Sequence, residues 1–214
     1  MFWGLASGEV DTRQFEFEHV LRDIQTLNEW AIEGKLEVTA ISLAAYPFVQ
    51  ERYVLLPHGA SMGAGYGPIV VAREELSVHD LRDVEIVVPG ALTTAFLVLR
   101  MCLGEWWLLE TGLPLPLGAN VARRDLGANT LFVLSDVLRD SIQAGLDNRE
   151  EAMEYALQFG RGLDTKLADR FVGMYVNELT CDYGEEGRQA VRELLKRAEA
   201  IGTYEQPVKV EFVG

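Results

Sequence analysis

Cysteine is scarce in this chain: Cys102 and Cys181 are the only two in 214 residues, and no CxxC spacing joins them. That excludes a disulfide framework and fits reduced thiols in a reducing compartment. Histidine numbers three, with no cluster of ligand-type side chains around any of them, so no metal centre is expected. Long apolar runs are missing too. The richest, Ala91 to Leu103, is broken by Arg100 and is too short for a bilayer. The opening MFWGLASGEVDTRQ has no basic segment and only a very short apolar run, so it does not read as a secretory signal. Positive charge is also short: 19 Lys and Arg face 33 Asp and Glu, a net −14. Such a surface repels nucleic acid and anionic membranes, and neither is an expected partner. A small carboxylate ligand stays compatible, because local amide and hydroxyl donors outweigh a diffuse field. The expected location is cytoplasmic.

What is present is core material. Hydrophobic residues make up 49% of the chain, enough for one domain or two small lobes. Residues Gln14 to Val20 alternate apolar and polar and predict a half-buried strand. Asp23 then caps a helix carrying Ile24, Leu27, Trp30 and Ala31, and Gly34 stops it. Leu36 to Ser42 predicts a second strand and Leu43 to Val49 a short apolar helix. Arg52 to Leu56 and Ile69 to Ala72 read as strands flanking a glycine-rich loop. Val84 to Val88 is a β-branched run of the kind buried on both faces of a sheet. Helices are predicted over Asn129 to Leu146, Arg149 to Phe159, Thr165 to Leu179 and Glu185 to Ile201. Strands alternating with helices, followed by a helical tail, indicate an α/β class.

Three places could carry chemistry. In the loop His58 to Pro68, HGASMGAGYGP, Gly63, Gly65 and Gly67 free backbone N–H groups, though the loop is no Walker or dinucleotide motif. A hinge or hairpin turn is the competing reading. PGALTTA, Pro89 to Ala95, follows the predicted Val84 to Val88 strand, where ligands settle in open α/β sheets; helix capping by one threonine is the alternative. Ser42 lies at a second such strand end. No GxSxG elbow surrounds it, which argues against a hydrolase nucleophile. Of the histidines, His19 and His79 read as solvated, and only His58 lies beside a loop that could border a cleft. Glu185 and Glu186 suit a helix start electrostatically.

The run Thr111 to Gly127, TGLPLPLGANVARRDLG, is the most distinctive. Pro114 and Pro116 alternate with leucines, giving a stiff, extended, apolar segment unlike an ordinary strand. It reads as a buried crossing between lobes or as the wall of a ligand cleft.

These segments recur together in a known family. DIQTLNEWAIEGKL (Asp23 to Leu36), TAISLAAY (Thr39 to Tyr46), GAGYGPIVVAR (Gly63 to Arg73), VPGALTTA (Val88 to Ala95), WWLLETGLPLPLGANVARRDLG (Trp106 to Gly127) and MYVNELTCDYGEEGRQAV (Met174 to Val191) closely resemble the 1,4-dihydroxy-6-naphthoate synthase family of menaquinone biosynthesis. The resemblance spans nearly the whole chain. It implies a two-lobed α/β fold like the type II periplasmic binding proteins. It further implies a cytoplasmic carbon-carbon lyase without metal or cofactor. The substrate would be cyclic dehypoxanthinyl futalosine, and the products 1,4-dihydroxy-6-naphthoate and a dihydroxyacetone fragment. The family's substrate contacts fall on Ala40, Ile41, Ser42, Thr94 and Ala95.

The departures are as informative. The family's opening strand and Pro-Asn-Asp-type loop are absent before Met1. Several elements are also absent between the helix after VPGALTT and the Gly104-Glu105-Trp106-Trp107 segment. The second gap would remove the family's Ile-His-Glu segment, and with it the histidine that accepts the proton. The expected division is therefore a first lobe of residues 1–82 and 124–214, with 83–123 as the remnant of a second. A remnant of that size scarcely holds a core unaided. An uncovered sheet edge or groove would favour homo-oligomers.

Overall fold

The Leu-Pro alternation ends up in the middle of a sheet. The structure is a computed structural model that describes residues 1–63, 66–77, 79–101, 105–159, 169 and 172–214. Its strands are β1 (Val38–Ser42), β2 (Tyr53–Leu55), β3 (Ser61–Gly63) and β4 (Leu115–Arg123). Its helices are α1 (Trp3–Ser7), α2 (Ile24–Glu33), α3 (Tyr46–Val49), α4 (Thr94–Met101), α5 (Glu105–Thr111), α6 (Ala128–Asp147), α7 (Arg149–Leu157), α8 (Glu178–Cys181) and α9 (Gly184–Ala200). The fold is mixed α/β, with an open sheet whose strand pairs are antiparallel.

β4 is the strand on which the others assemble. β1 lies along one side, from Val38 opposite Ala122 to Ser42 opposite Gly118. β2 and β3 follow each other along the other side, opposite Arg123 to Val121 and Gly118 to Leu115. The expectation that this segment is not an ordinary strand is thus overturned. Pro116 is tolerated because β1 has already ended at Gly118, and β3 shifts register between Ser61 and Met62 at this point. Gly118 lets β1 approach, since a Cβ there would stand 3.0 Å from the Ile41 carbonyl oxygen. β4 falls within the 83–123 segment, yet its partners β1, β2 and β3 come from residues 1–82.

The period-two alternation of the strands separates two cores. Val54, Leu56 and Ala122 face Leu131, Leu134 and Leu138 of α6. Tyr53, Leu55, Ile41 and Val121 face Val191, Leu194, Leu195 and Ala198 of α9, with Leu97 and Val98 of α4. β2 is therefore buried throughout, lying between two layers of helix. The C-terminal segment completes that edge: Leu55 N–H donates to Glu211 O at 3.1 Å, and Val213 N–H to Leu55 O at 2.9 Å. Arg124 locks it by donating from Nε to the carbonyls of Gln50 and Tyr53 and pairing with Glu211 at 2.7 Å.

Local signals hold where they are self-contained. Asp23 caps α2, accepting from Thr26 N–H at 3.0 Å, and Gly34 ends it in the left-handed region. The predicted Leu43 to Val49 helix is a 3₁₀ turn, Leu43–Ala45, running into α3. The three predicted strands at Gln14 to Val20, Ile69 to Ala72 and Val84 to Val88 do not form. Phe15 and Phe17 pack side-on against the α6 core instead, whereas Ile69, Val71 and Val87 are 82%, 80% and 92% exposed. A β-branched run becomes a strand only where a ladder partner exists. Conversely, β3 forms inside the glycine-rich loop, because β4 supplies it with a partner. Gly65 of that loop, Cys102, the Leu103-Gly104 junction and most of the predicted Thr165 to Leu179 helix lie outside the described residues.

Leu56 to Ala60 links β2 to β3 and turns at Gly59, whose φ is +77°. Gly59 N–H donates to Thr180 O at 2.6 Å, and a Cβ at this position would collide with the Asn120 amide. Gly59→Ala is expected to lower stability by about 2 kcal/mol or more, read as the urea midpoint.

Candidate functional site

The edge formed by the end of β1, the start of α4 and the first half of β4 gathers the residues singled out from the sequence. Ser42 is buried at the end of β1. Its N–H donates to Asn28 Oδ1 at 2.9 Å, and its Oγ accepts from Asn28 Nδ2 at 3.2 Å. Asn28, on α2, is fully buried, so this two-bond clamp holds the strand end against the helix. Thr94 opens α4 and is also buried. Its hydroxyl donates to Leu117 O at 2.6 Å and accepts from Ala44 N–H at 3.3 Å. Thr94 thus joins the turn after β1 to β4. Thr93 caps the helix, accepting from Phe96 N–H at 3.3 Å.

The remaining candidates differ in what they present. Ala40 is exposed on β1 opposite the buried Asn120. Ile41 is fully buried, and its side chain belongs to the core. Ala95 is half-buried and borders a groove of about 340 Å³ lined by Val70, Ile86, Val98 and neighbouring apolar side chains. Both hydroxyls at this edge are committed to the protein. They fix backbone positions, leaving exposed main chain and small side chains as the surface a ligand would meet. Asn28 was missed in reading the sequence. Its one signal is an amide placed between Leu27 and Ala31 on the buried face of an amphipathic helix.

The histidines lie elsewhere. His19 and His79 are exposed. His58, at 2% exposure, shares a hydrogen bond of 2.8 Å with Ser135 Oγ of α6, and its Nδ1 has no protein partner. Burial, helped by the Arg139 guanidinium, pushes its pKa down to about 4. Among the described residues, no group of three or more His, Cys, Asp or Glu side chains could hold a metal, and no helix is long and apolar enough to cross a membrane. Glu185 and Glu186 are exposed in the first turn of α9.

Ser42→Ala and Thr94→Val should each cost about 1–3 kcal/mol, because each strands a buried partner without a hydrogen bond. Thermal unfolding of the two variants checks this. His58 adds a pH dependence of definite sign. Its folded-state pKa of about 4 lies below the ordinary 6.5, so the unfolded chain takes up the proton first. Its contribution is full above pH 6.5, falls as pH drops toward 4, and is flat below. The amplitude is on the order of 3 kcal/mol, and His58→Gln should abolish it in urea unfolding across that range.

Comparison with known proteins bears on the same segments. The family model for menaquinone biosynthesis matches residues 1–103 and 101–200, in two pieces that meet where the sequence places its second gap. A 1,4-dihydroxy-6-naphtoate synthase from Thermus thermophilus is 36% identical over 248 residues, covering 94% of this chain and 90% of that protein. That alignment is longer than this chain, so the relative carries residues with no counterpart here. A second such synthase, from Streptomyces coelicolor, is 34% identical over 232 residues, covering 84% and 82%. The crystal structure of protein AF1704 from Archaeoglobus fulgidus superposes with a TM-score of 0.86 at 34% identity, covering 95% of this chain and 93% of its own. With matches of this identity over nearly its full length, the chain belongs to the menaquinone biosynthesis family.

Proposed function

We propose that this chain is a 1,4-dihydroxy-6-naphthoate synthase-like lyase acting on cyclic dehypoxanthinyl futalosine in the cytoplasm, without metal or cofactor. The single observation that carries the reading is the pair of synthase relatives aligned across the β1 and α4 segments. In this reading Ala40, Ile41, Ser42, Thr94 and Ala95 form the substrate edge. Ala40 would offer exposed surface and backbone, Ile41 its main chain, and Ala95 the apolar groove. Ser42 and Thr94 act through the backbone they immobilise, which keeps the edge in one geometry for binding. The two-lobed organisation like the type II periplasmic binding proteins, with 83–123 as a second-lobe remnant, belongs to the same reading. So does self-association through the exposed apolar segments at Ile69 to Val71 and Val84 to Val88.

One observation favours a second reading, binding without turnover. The chain has three histidines; two are exposed and the third is bound to α6, so none stands at the substrate edge as a proton acceptor. Loss of a general base costs about 10²–10⁴-fold in rate, and the lyase activity is expected to be correspondingly slow.

Incubating the pure chain with cyclic dehypoxanthinyl futalosine and following the naphthoate by chromatography separates the readings. Slow product formation above an enzyme-free control supports the lyase. Saturable heat on titration with no product leaves a binding module, and neither signal overturns both.

A further inference from the structure

A second cavity, of about 220 Å³, opens where the β2–β3 connection meets α6 and the start of α9. It shares no residue with the Ser42–Thr94 edge. His58 and Ser135 line it, as do the guanidinium groups of Arg139 and Arg188. His58 and Ser135 are 2% and 7% exposed, so the polar floor is built into the protein rather than laid on its surface. His58 Nδ1 finds no protein partner in this setting, which is costly for a buried polar atom.

The two cations are held in place and retain donors. Arg139 Nη2 pairs with Asp136 at 3.1 Å and reaches Asp140 at 3.6 Å; Arg188 Nη2 meets Asp182 at 3.6 Å. Arg188 is further fixed with its guanidinium 5.1 Å from the Phe212 ring centroid. A guanidinium carries five N–H donors in a planar fork, so a carboxylate on one arm leaves others for a ligand. The rest of the wall is apolar, supplied by Pro57, Phe132 and Val213.

We infer that this cavity is a binding site for a small organic monocarboxylate, its carboxylate held by Arg139 and Arg188 above the His58–Ser135 pair and its apolar body against Phe132. Asp136 and Asp182 also line the cavity and select for charge. They repel a doubly charged phosphate about twice as strongly as a single carboxylate. The apolar wall gives phosphate nothing in return. A neutral imidazole floor suits the same ligand, having one N–H to donate and adding no charge.

Titration calorimetry of the full chain with benzoate tests this, with inorganic phosphate as the comparison. Benzoate should bind saturably with a dissociation constant below about 1 mM, and the His58 ring signals should shift in NMR spectra. Arg188→Gln should weaken binding by at least about tenfold, while the remote Lys209→Gln leaves it unchanged. If Arg188→Gln fails to fold, Arg139→Gln, at a side chain 52% exposed, serves the same purpose. Absence of saturable binding, binding indifferent to the arginine substitution, or phosphate binding as tight as benzoate would each overturn the assignment.

Discussion

The ladder along β4 is the interaction on which the rest depends. Every other strand of the sheet pairs with it: β1 on one side, β2 and β3 in succession on the other. Its register fixes which side chains face α6 and which face α9, because a one-residue slip would exchange the two faces. The site inherits the same constraint. Leu117, whose carbonyl receives the Thr94 hydroxyl, and Gly118, opposite Ser42, both belong to this strand.

The candidate edge is stabilised by side chain to backbone bonds made across long stretches of chain. Asn28 bonds to Ser42, and Thr94 joins Ala44 to Leu117. Such bonds contribute little net stability when made and cost much when one partner is removed. The arrangement therefore keeps α2, β1, α4 and β4 in one relative position. This differs from an active-site serine or threonine, whose hydroxyl must be free to react. His58 follows the same logic on α6, where its bond to Ser135 keeps it buried and neutral.

Legibility in the sequence followed the range of the interaction. The ends of α2 could be read because Asp23 and Gly34 act within a turn of the helix they bound. The β-branched runs at 69–72 and 84–88 misled because their strand preference has no ladder partner in this fold. β3 was hidden for the opposite reason: its glycine-rich sequence is a poor strand former, but β4 pairs with it. At the site, Ser42 and Thr94 were both legible as element ends. Asn28 was not, since its role exists only once α2 packs on β1.

By itself the sequence determined composition, charge, the helical caps and, through its ordered segments, the family. These are properties of single residues or short spans, where physical preference acts locally. The tertiary structure alone decided that TGLPLPLG is a middle strand. It also decided that the Ser42 and Thr94 hydroxyls serve the backbone, and that His58 sits in a cavity with Arg139 and Arg188. Each of these depends on atoms far apart in the chain, and only the closed fold brings them within hydrogen-bonding or electrostatic range.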